Sequence, residues 1–208
     1  MLGKTHMAVG VAAGLALLRP QTLPELVIGT GTLAVGAVLS DIDSGTSESH
    51  RDADKIIALA GLACFAVAAA EGALHLGIYE RLMQSSNALR IVLGAAAFLL
   101  LCAFGKEQPH RSFMHSLPAL ALLTGCVHLM FPLAAPYFAA GFVSHLALDL
   151  LNRRDERLLY PLSWGLSFGL CSSKGLVNRA LFSAGCAGGA AAFGVLLLRA
   201  ADLRRLLP

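Results

Sequence analysis

Seven apolar segments make up most of the chain and constrain its fold more than any other feature. They lie at about residues 6–18, 24–39, 56–78, 89–104, 116–133, 136–151 and 181–200. The chain is 56% hydrophobic and 14% charged, whereas about 25% of the residues in a soluble domain are charged. Its mean hydropathy is +0.68. This pattern predicts an all-α, polytopic transmembrane bundle of about seven helices.

Several of these segments are shorter than the roughly 20 residues that a spanning helix needs. We therefore expect short or tilted helices around a polar site near one membrane face, in a single membrane-embedded domain over residues 1–208. The 21 glycines agree with close helix packing in a membrane. The net charge of +3 is spread over several loops. We therefore expect the lipid bilayer, and no nucleic acid, as a partner.

The segment from Gly141 to Leu151 carries two ionisable residues inside an otherwise apolar helix. His145 and Asp149 are four residues apart, so both side chains project from the same helix face. Ionisable groups at this depth are costly unless they pair, contact water or bind a metal ion.

Eight polar residues at the ends of apolar segments fall on the same side of the membrane if each segment crosses once. One lies at the start of the first segment, two follow the second, three follow the fourth, and two lie at the end of the sixth. They are His6, Asp41, Asp43, His110, Arg111, His115, His145 and Asp149. This convergence at one face predicts a common site.

Histidine and aspartate form the ligand set of zinc and other divalent first-row ions. The predicted metal ligands, for one or two ions, are His6, Asp41, Asp43, His115, His145 and Asp149. Asp149 either binds the ion directly or orients His145. Simpler alternatives are a hydrogen-bonded core histidine at 145, a solvated turn at 41–43 and a juxtamembrane anchor at Arg111. An arginine could instead grip phosphate or carboxylate with its bidentate fork.

Basic residues are more frequent on the side that carries the predicted site. Ten of the sixteen lysines and arginines fall there: Lys4, Arg51, Lys55, Lys106, Arg111, Arg153, Arg154, Arg157, Lys174 and Arg179. The positive-inside rule then predicts that the site faces the cytoplasm.

The ordered set of motifs resembles a known family. These motifs are Thr5-His6, Asp41-Ile-Asp43, His110-Arg111 with His115-Ser116, Gly141 through His145 to Asp149, and Leu158-Leu-Tyr-Pro161. Together they resemble the YdjM-like family of LexA-regulated, membrane-bound, metal-dependent hydrolases. The chain is more distantly similar to the zinc-dependent phospholipase C and P1 nuclease superfamily, in which an H-x-x-x-D pair like His145 and Asp149 binds the metal. The chain departs from the family pattern at Ser40 and at 112–114.

The family resemblance implies a hydrolase without giving its substrate, and the superfamily similarity implies phosphoester chemistry. We therefore expect a bacterial inner-membrane hydrolase that cleaves a phosphoester or related bond of a lipid-like or phosphorylated substrate. In this hypothesis Asp43 bridges a second ion or acts as general base, and Arg111 stabilises the negative charge that develops on the substrate. His110 is an additional metal ligand or the general acid. The alternative is a metal-binding transporter or channel-like protein that uses the same residues as a permeation site.

Overall fold

The computed structural model describes residues 1–45, 83–172 and 175–206, together with residues 69, 72, 77 and 80. Six α-helices lie within this part of the chain: α1 (Gly3–Leu18), α2 (Leu23–Leu39), α3 (Ser86–Lys106), α4 (Leu117–Met130), α5 (Ala135–Leu150) and α6 (Leu176–Leu206). Two short 3₁₀ turns, Ser40–Asp43 and Phe113–His115, follow α2 and precede α4. The all-helical prediction is confirmed, and six of the seven predicted segments correspond to helices. The predicted helix at 56–78 lies outside the described residues.

Within the described residues, three helical spans are long and apolar enough to cross a membrane: Leu23–Asp43, Ser86–Lys106 and Leu176–Ala201. Helices α1 and α4 are apolar but shorter, with 16 and 14 residues, as the sequence predicts. Large apolar side chains cover the outside of the bundle; Leu17 is 75% exposed and Leu100 is 71% exposed. Such a surface is suited to lipid and costly in water.

Local sequence signals fix the helix ends that carry the polar residues. Ser116 caps α4, because its side-chain oxygen accepts a hydrogen bond from the Ala119 amide at 3.2 Å, and Pro118 occupies the first turn. His115 therefore lies immediately outside the start of a helix. At the end of α2 the chain tightens into the 3₁₀ turn, which turns Asp43 into the protein interior.

Helix α5 occupies the centre of the bundle and packs against α1, α2 and α4. Its contact with α2 is close because glycines face the partner backbone. A side-chain carbon at Gly36 would collide with the Phe138 carbonyl oxygen, and one at Gly141 would collide with the Leu33 carbonyl oxygen. This close crossing brings the end of α2 beside the last two turns of α5, where His145 and Asp149 lie.

Candidate metal centre

The structure brings all eight predicted site residues to one end of the bundle, although they come from four separate parts of the chain. Most of them are shielded from solvent. His6, His115 and His145 are fully buried, Asp149 is 2% exposed, and Asp43 and Arg111 are 7% and 8% exposed. Asp41 is half-buried, and His110 is the exposed member. Buried groups of this polarity require partners, and they find them in one another.

The imidazoles of His115 and His145 face each other through their Nε2 atoms, which are 3.3 Å apart. The Nδ1 atom of His145 is 2.7 Å from the Ala37 carbonyl oxygen, to which it donates a hydrogen bond. This hydrogen bond assigns the proton to Nδ1 and leaves a lone pair on Nε2. Two nitrogens bound to a tetrahedral zinc ion at 2.0–2.1 Å lie about 3.3 Å from each other. The spacing of the two Nε2 atoms therefore fits a shared ion.

Asp43 holds the other side of the His115 ring. Its Oδ2 atom is 3.2 Å from His115 Nδ1 and accepts a hydrogen bond from the Arg111 amide at 3.1 Å. Its Oδ1 atom is 2.7 Å from His110 Nδ1. A carboxylate bound to Nδ1 fixes the ring orientation of a histidine and makes its Nε2 a better ligand. This geometry favours an orienting role for Asp43 over the bridging and general-base roles suggested above, and it places His110 on the far side of Asp43 from the Nε2 pair.

Asp149 is the carboxylate around which the remaining polar groups gather. Its Oδ1 atom is 3.1 Å from His6 Nε2, 2.7 Å from Asn152 Nδ2 and 2.5 Å from the Met1 amino group. Its Oδ2 atom is 2.5 Å from Arg111 Nη2 and 3.8 Å from His115 Nε2. Three of these five neighbours donate from positively charged or amide nitrogen. The carboxylate is thus surrounded by hydrogen-bond donors next to the histidine pair.

His6 belongs to the same buried cluster and has one ring nitrogen that no described residue binds. Its ring stacks on His145 with centroids 3.8 Å apart and an interplanar angle of 17°. Although the ring is fully buried, its Nδ1 atom has no hydrogen-bond partner among the described residues, whereas its Nε2 atom contacts Asp149 Oδ1 at 3.1 Å. Asp41 lies beside the same two rings, and its Oδ1 atom is 3.7 Å from His145 Nε2.

Three overlapping groups of these side chains could hold a metal ion, since their ligand atoms lie within 4.8 Å of one another. They are His6 with Asp41 and His145, Asp43 with His110 and His115, and His115 with His145 and Asp149. The donor set of imidazole nitrogens and carboxylate oxygens suits zinc and similar divalent ions. The buried His6 Nδ1 atom, which has no hydrogen-bond partner among the described residues, and the 3.3 Å spacing of the Nε2 pair fit such an ion.

Replacing Asp43 by asparagine is expected to weaken metal binding by about 10–100-fold without abolishing it. The amide keeps the size of the side chain but loses the charge that holds the Nδ1 atoms of His115 and His110. Metal affinity can be measured by competition with a chromophoric chelator, with Glu107→Asn as a control for loss of an exposed carboxylate. An unchanged affinity in Asp43→Asn would contradict the orienting role.

Arg111 lies in a constrained part of the connection between α3 and α4. Its backbone φ is +66°, a conformation that is costly for a residue with a side chain. Both terminal nitrogens are engaged: Nη1 donates to the Arg154 carbonyl oxygen at 2.5 Å and Nη2 donates to Asp149. Its carbonyl oxygen accepts a hydrogen bond from the Arg157 amide at 3.1 Å. The guanidinium is therefore fixed beside the histidine and carboxylate cluster.

Several residues that complete the site could not be recognised from the sequence. The Ala37 carbonyl and Asn152 act through hydrogen bonds that no motif signals. Glu156 is fully buried, and neither of its carboxylate oxygens has a hydrogen-bond partner among the described residues. Burial, reinforced by the negative charge of Asp149, raises the pKa of Glu156 to about 9. A glutamate in a polar loop looks like a surface residue in the sequence, and only the fold shows that it is buried.

Replacing Glu156 by glutamine is expected to stabilise the protein more at pH 8 than at pH 5. The raised pKa keeps this carboxyl neutral in the folded protein, whereas it ionises near pH 4.5 in the unfolded chain. Its contribution to stability is therefore fully present below pH 4.5 and is lost as the pH rises towards about 9. Glutamine removes that loss, which is on the order of 5 kcal/mol near pH 8, because each pKa unit corresponds to about 1.4 kcal/mol. Thermal unfolding in detergent, with the exposed Glu107→Gln variant as control, measures the difference.

A helical membrane bundle with a buried histidine and carboxylate cluster at one end defines a class: polytopic membrane proteins with a candidate metal centre. The family model of the YdjM inner membrane protein family matches residues 1–201, and the chain belongs to this family. No curated protein and no solved structure matches the chain. Membership confirms the predicted family and the inner-membrane location.

Proposed function

We propose that this protein is a membrane-embedded metal-dependent hydrolase that cleaves a phosphoester or related bond of a lipid-like substrate. The observation that carries the proposal is the facing Nε2 pair of His115 and His145, 3.3 Å apart and backed by Asp43 and the Ala37 carbonyl oxygen. His6, Asp41, His115, His145 and Asp149 would hold one or two ions, of which zinc fits the donor set best. The chemistry supplied by such an ion is polarisation of the substrate and activation of water.

The chain's own residues supply positioning and charge. Asp43 and the Ala37 carbonyl oxygen fix the two histidine rings, so their Nε2 atoms need no rearrangement. Arg111 provides a fixed positive charge beside Asp149 for the negative charge that develops on a transferring phosphoryl group. The His110 side chain is 33% exposed and contacts Asp43. We therefore assign it as the candidate general acid, on the solvent side of the site.

A permeation path would need polar groups through the whole thickness of the bundle. Among the described residues, every group of histidine and acidic side chains that could hold a metal lies at the same end. This distribution supports an enzyme over a transporter.

Hydrolysis of a defined panel of substrates tests the proposed activity. Purified protein loaded with zinc is incubated in detergent or lipid with phosphorylated lipids and with generic phosphoesters, and released phosphate or alcohol is measured. We expect metal-dependent hydrolysis that is lost on chelation and restored by added zinc. No turnover of any member, together with metal-ion flux into proteoliposomes, would assign the protein to the transporter class.

We also propose that the site faces the cytoplasm, on the basis of the basic residues that flank it. Labelling of single cysteines in a background without native cysteines tests this orientation. Ser163→Cys, in the exposed connection between α5 and α6, is expected to react only after inside-out vesicles are prepared. Gln84→Cys, which precedes α3, is expected to react in intact cells after permeabilisation of the outer membrane. The reverse pattern would place the site on the periplasmic side.

A further inference from the structure

We propose that a cavity between the first turns of α1 and α6 binds the phosphate group of an anionic lipid. The cavity has a volume of about 520 Å³ and is lined by Leu2, Lys4, Asn178, Arg179, Phe182 and Ser183. It lies beside the candidate metal centre but includes none of the residues assigned to that centre.

The charge of the cavity favours a phosphate group. Two of its six lining residues are cationic and none is acidic. The Lys4 Nζ atom lies 5.1 Å from the centre of the Phe182 ring, a cation–π contact between two of the lining residues. Among the described residues neither Lys4 nor Arg179 forms an ion pair with a carboxylate. Their charges are therefore available to an anion, and the Arg179 fork suits phosphate.

The surroundings of the cavity favour a lipid over a soluble anion. Leu2 and Phe182 give it an apolar wall. On the same end of α6, Leu176 is 83% exposed and Val177 is 47% exposed. A phosphate group held by Lys4 and Arg179 would thus have its acyl chains against apolar helix surface, as an amphiphile in a bilayer requires.

The first residues of the chain separate this cavity from the metal centre. The Leu2 amide donates a hydrogen bond to Asn178 Oδ1 at 3.3 Å, and Asn178 is 3% exposed. On the other side of this segment the Met1 amino group contacts Asp149, and a side-chain carbon added at Gly3 would lie 3.7 Å from the Asp41 carboxylate. A headgroup in the cavity would therefore lie next to the histidine and carboxylate cluster. As the substrate-holding site of a hydrolase the cavity rests on the proposed function, whereas lipid binding itself does not require turnover.

Binding of fluorescent phosphatidic acid to the purified full chain in detergent tests the inference. We expect Lys4→Gln combined with Arg179→Gln to weaken binding by about 10–100-fold, because two charge-assisted contacts are lost. The matched control removes two exposed arginines away from the cavity, Arg90→Gln with Arg199→Gln, and should bind like the unmodified protein. Elution as a single peak from size exclusion shows that each variant is folded. Equal binding by the Lys4 and Arg179 variant and the control would overturn the proposal.

A competition experiment distinguishes a lipid phosphate from free inorganic phosphate as the ligand of the cavity. Unlabelled phosphatidic acid is expected to displace the probe, whereas inorganic phosphate and neutral diacylglycerol should displace it only at far higher concentration. Displacement by inorganic phosphate as effective as that by the lipid would refute a lipid site. The same measurement on metal-stripped protein separates this inference from the proposed function: absence of hydrolysis leaves lipid binding intact, whereas absence of lipid binding overturns the cavity assignment whatever the hydrolytic activity.

Discussion

Alanine replacement of His115 and His145 together is expected to remove most of the divalent metal from the purified protein. Their Nε2 atoms are 3.3 Å apart, and each ring is fixed from behind, by Asp43 and by the Ala37 carbonyl oxygen. Loss of both removes the two donors whose geometry fits a shared ion best. We expect the affinity to fall by more than the roughly 10–100-fold cost of losing a residue that only orients a ligand. Elemental analysis by mass spectrometry measures the bound metal.

His128→Ala is the control for this double variant. His128 belongs to α4, the helix that begins just after His115, but it is exposed near the other end of that helix. Its loss should leave the metal content unchanged. Both histidines are buried, so the folded fraction of the double variant is followed by size exclusion and helical circular dichroism. A folded double variant that retains the metal content of the unmodified protein would refute the proposed centre.

Hydropathy predicted the architecture because a membrane leaves few structural choices to an apolar segment. A chain inside lipid must satisfy its backbone hydrogen bonds within each segment, so each apolar run becomes a helix. The runs at 24–39 and 89–104 correspond to α2 and α3 with ends shifted by a few residues. Those shifts have local causes that hydropathy does not detect, such as the Ser85 side chain, which caps α3 by accepting a hydrogen bond from the Ala88 amide at 3.3 Å.

The convergence of the candidate site could also be predicted, because alternation of helix direction decides which ends share a membrane face. His6 opens one helix and Asp149 lies near the end of another, and the structure places them 3.1 Å apart. The individual contacts could not be predicted in this way. Sequence spacing on α5 does not show that His145 donates to a carbonyl on α2, since this depends on the close crossing at Gly36 and Gly141.

The role of Asp43 illustrates the same limit. A pair of aspartates one residue apart suggests two similar ligands, yet the 3₁₀ turn separates their environments. Asp43 turns inward and contacts His110 and His115, whereas Asp41 remains half-buried and faces His145. A sequence motif shows which residue types are present, but the backbone conformation determines which of two neighbouring carboxylates contacts which histidine ring.

Replacing Arg111 by alanine is expected to lower phosphoester turnover by about 10²–10³-fold, the scale seen when one preorganised donor is removed from a reaction site. The guanidinium remains protonated and cannot be a metal ligand, so the metal content should be retained. Its two terminal nitrogens bind Asp149 and the Arg154 carbonyl oxygen, while its buried Nε has no partner among the described residues. We therefore expect Nε to donate to a substrate oxygen while the rest of the group is held in place.

Lysine at position 111 should restore activity only in part, because it keeps the charge but loses the planar fork that spans Asp149 and the Arg154 carbonyl oxygen. Arg153→Ala, an exposed arginine on the connection between α5 and α6, serves as the control and should retain full turnover. Turnover and metal content are measured on the same preparations. Full activity in Arg111→Ala would contradict the catalytic role. Loss of metal together with activity would also contradict it, because Arg111 would then act by holding Asp149 in the metal centre and not by contacting the substrate.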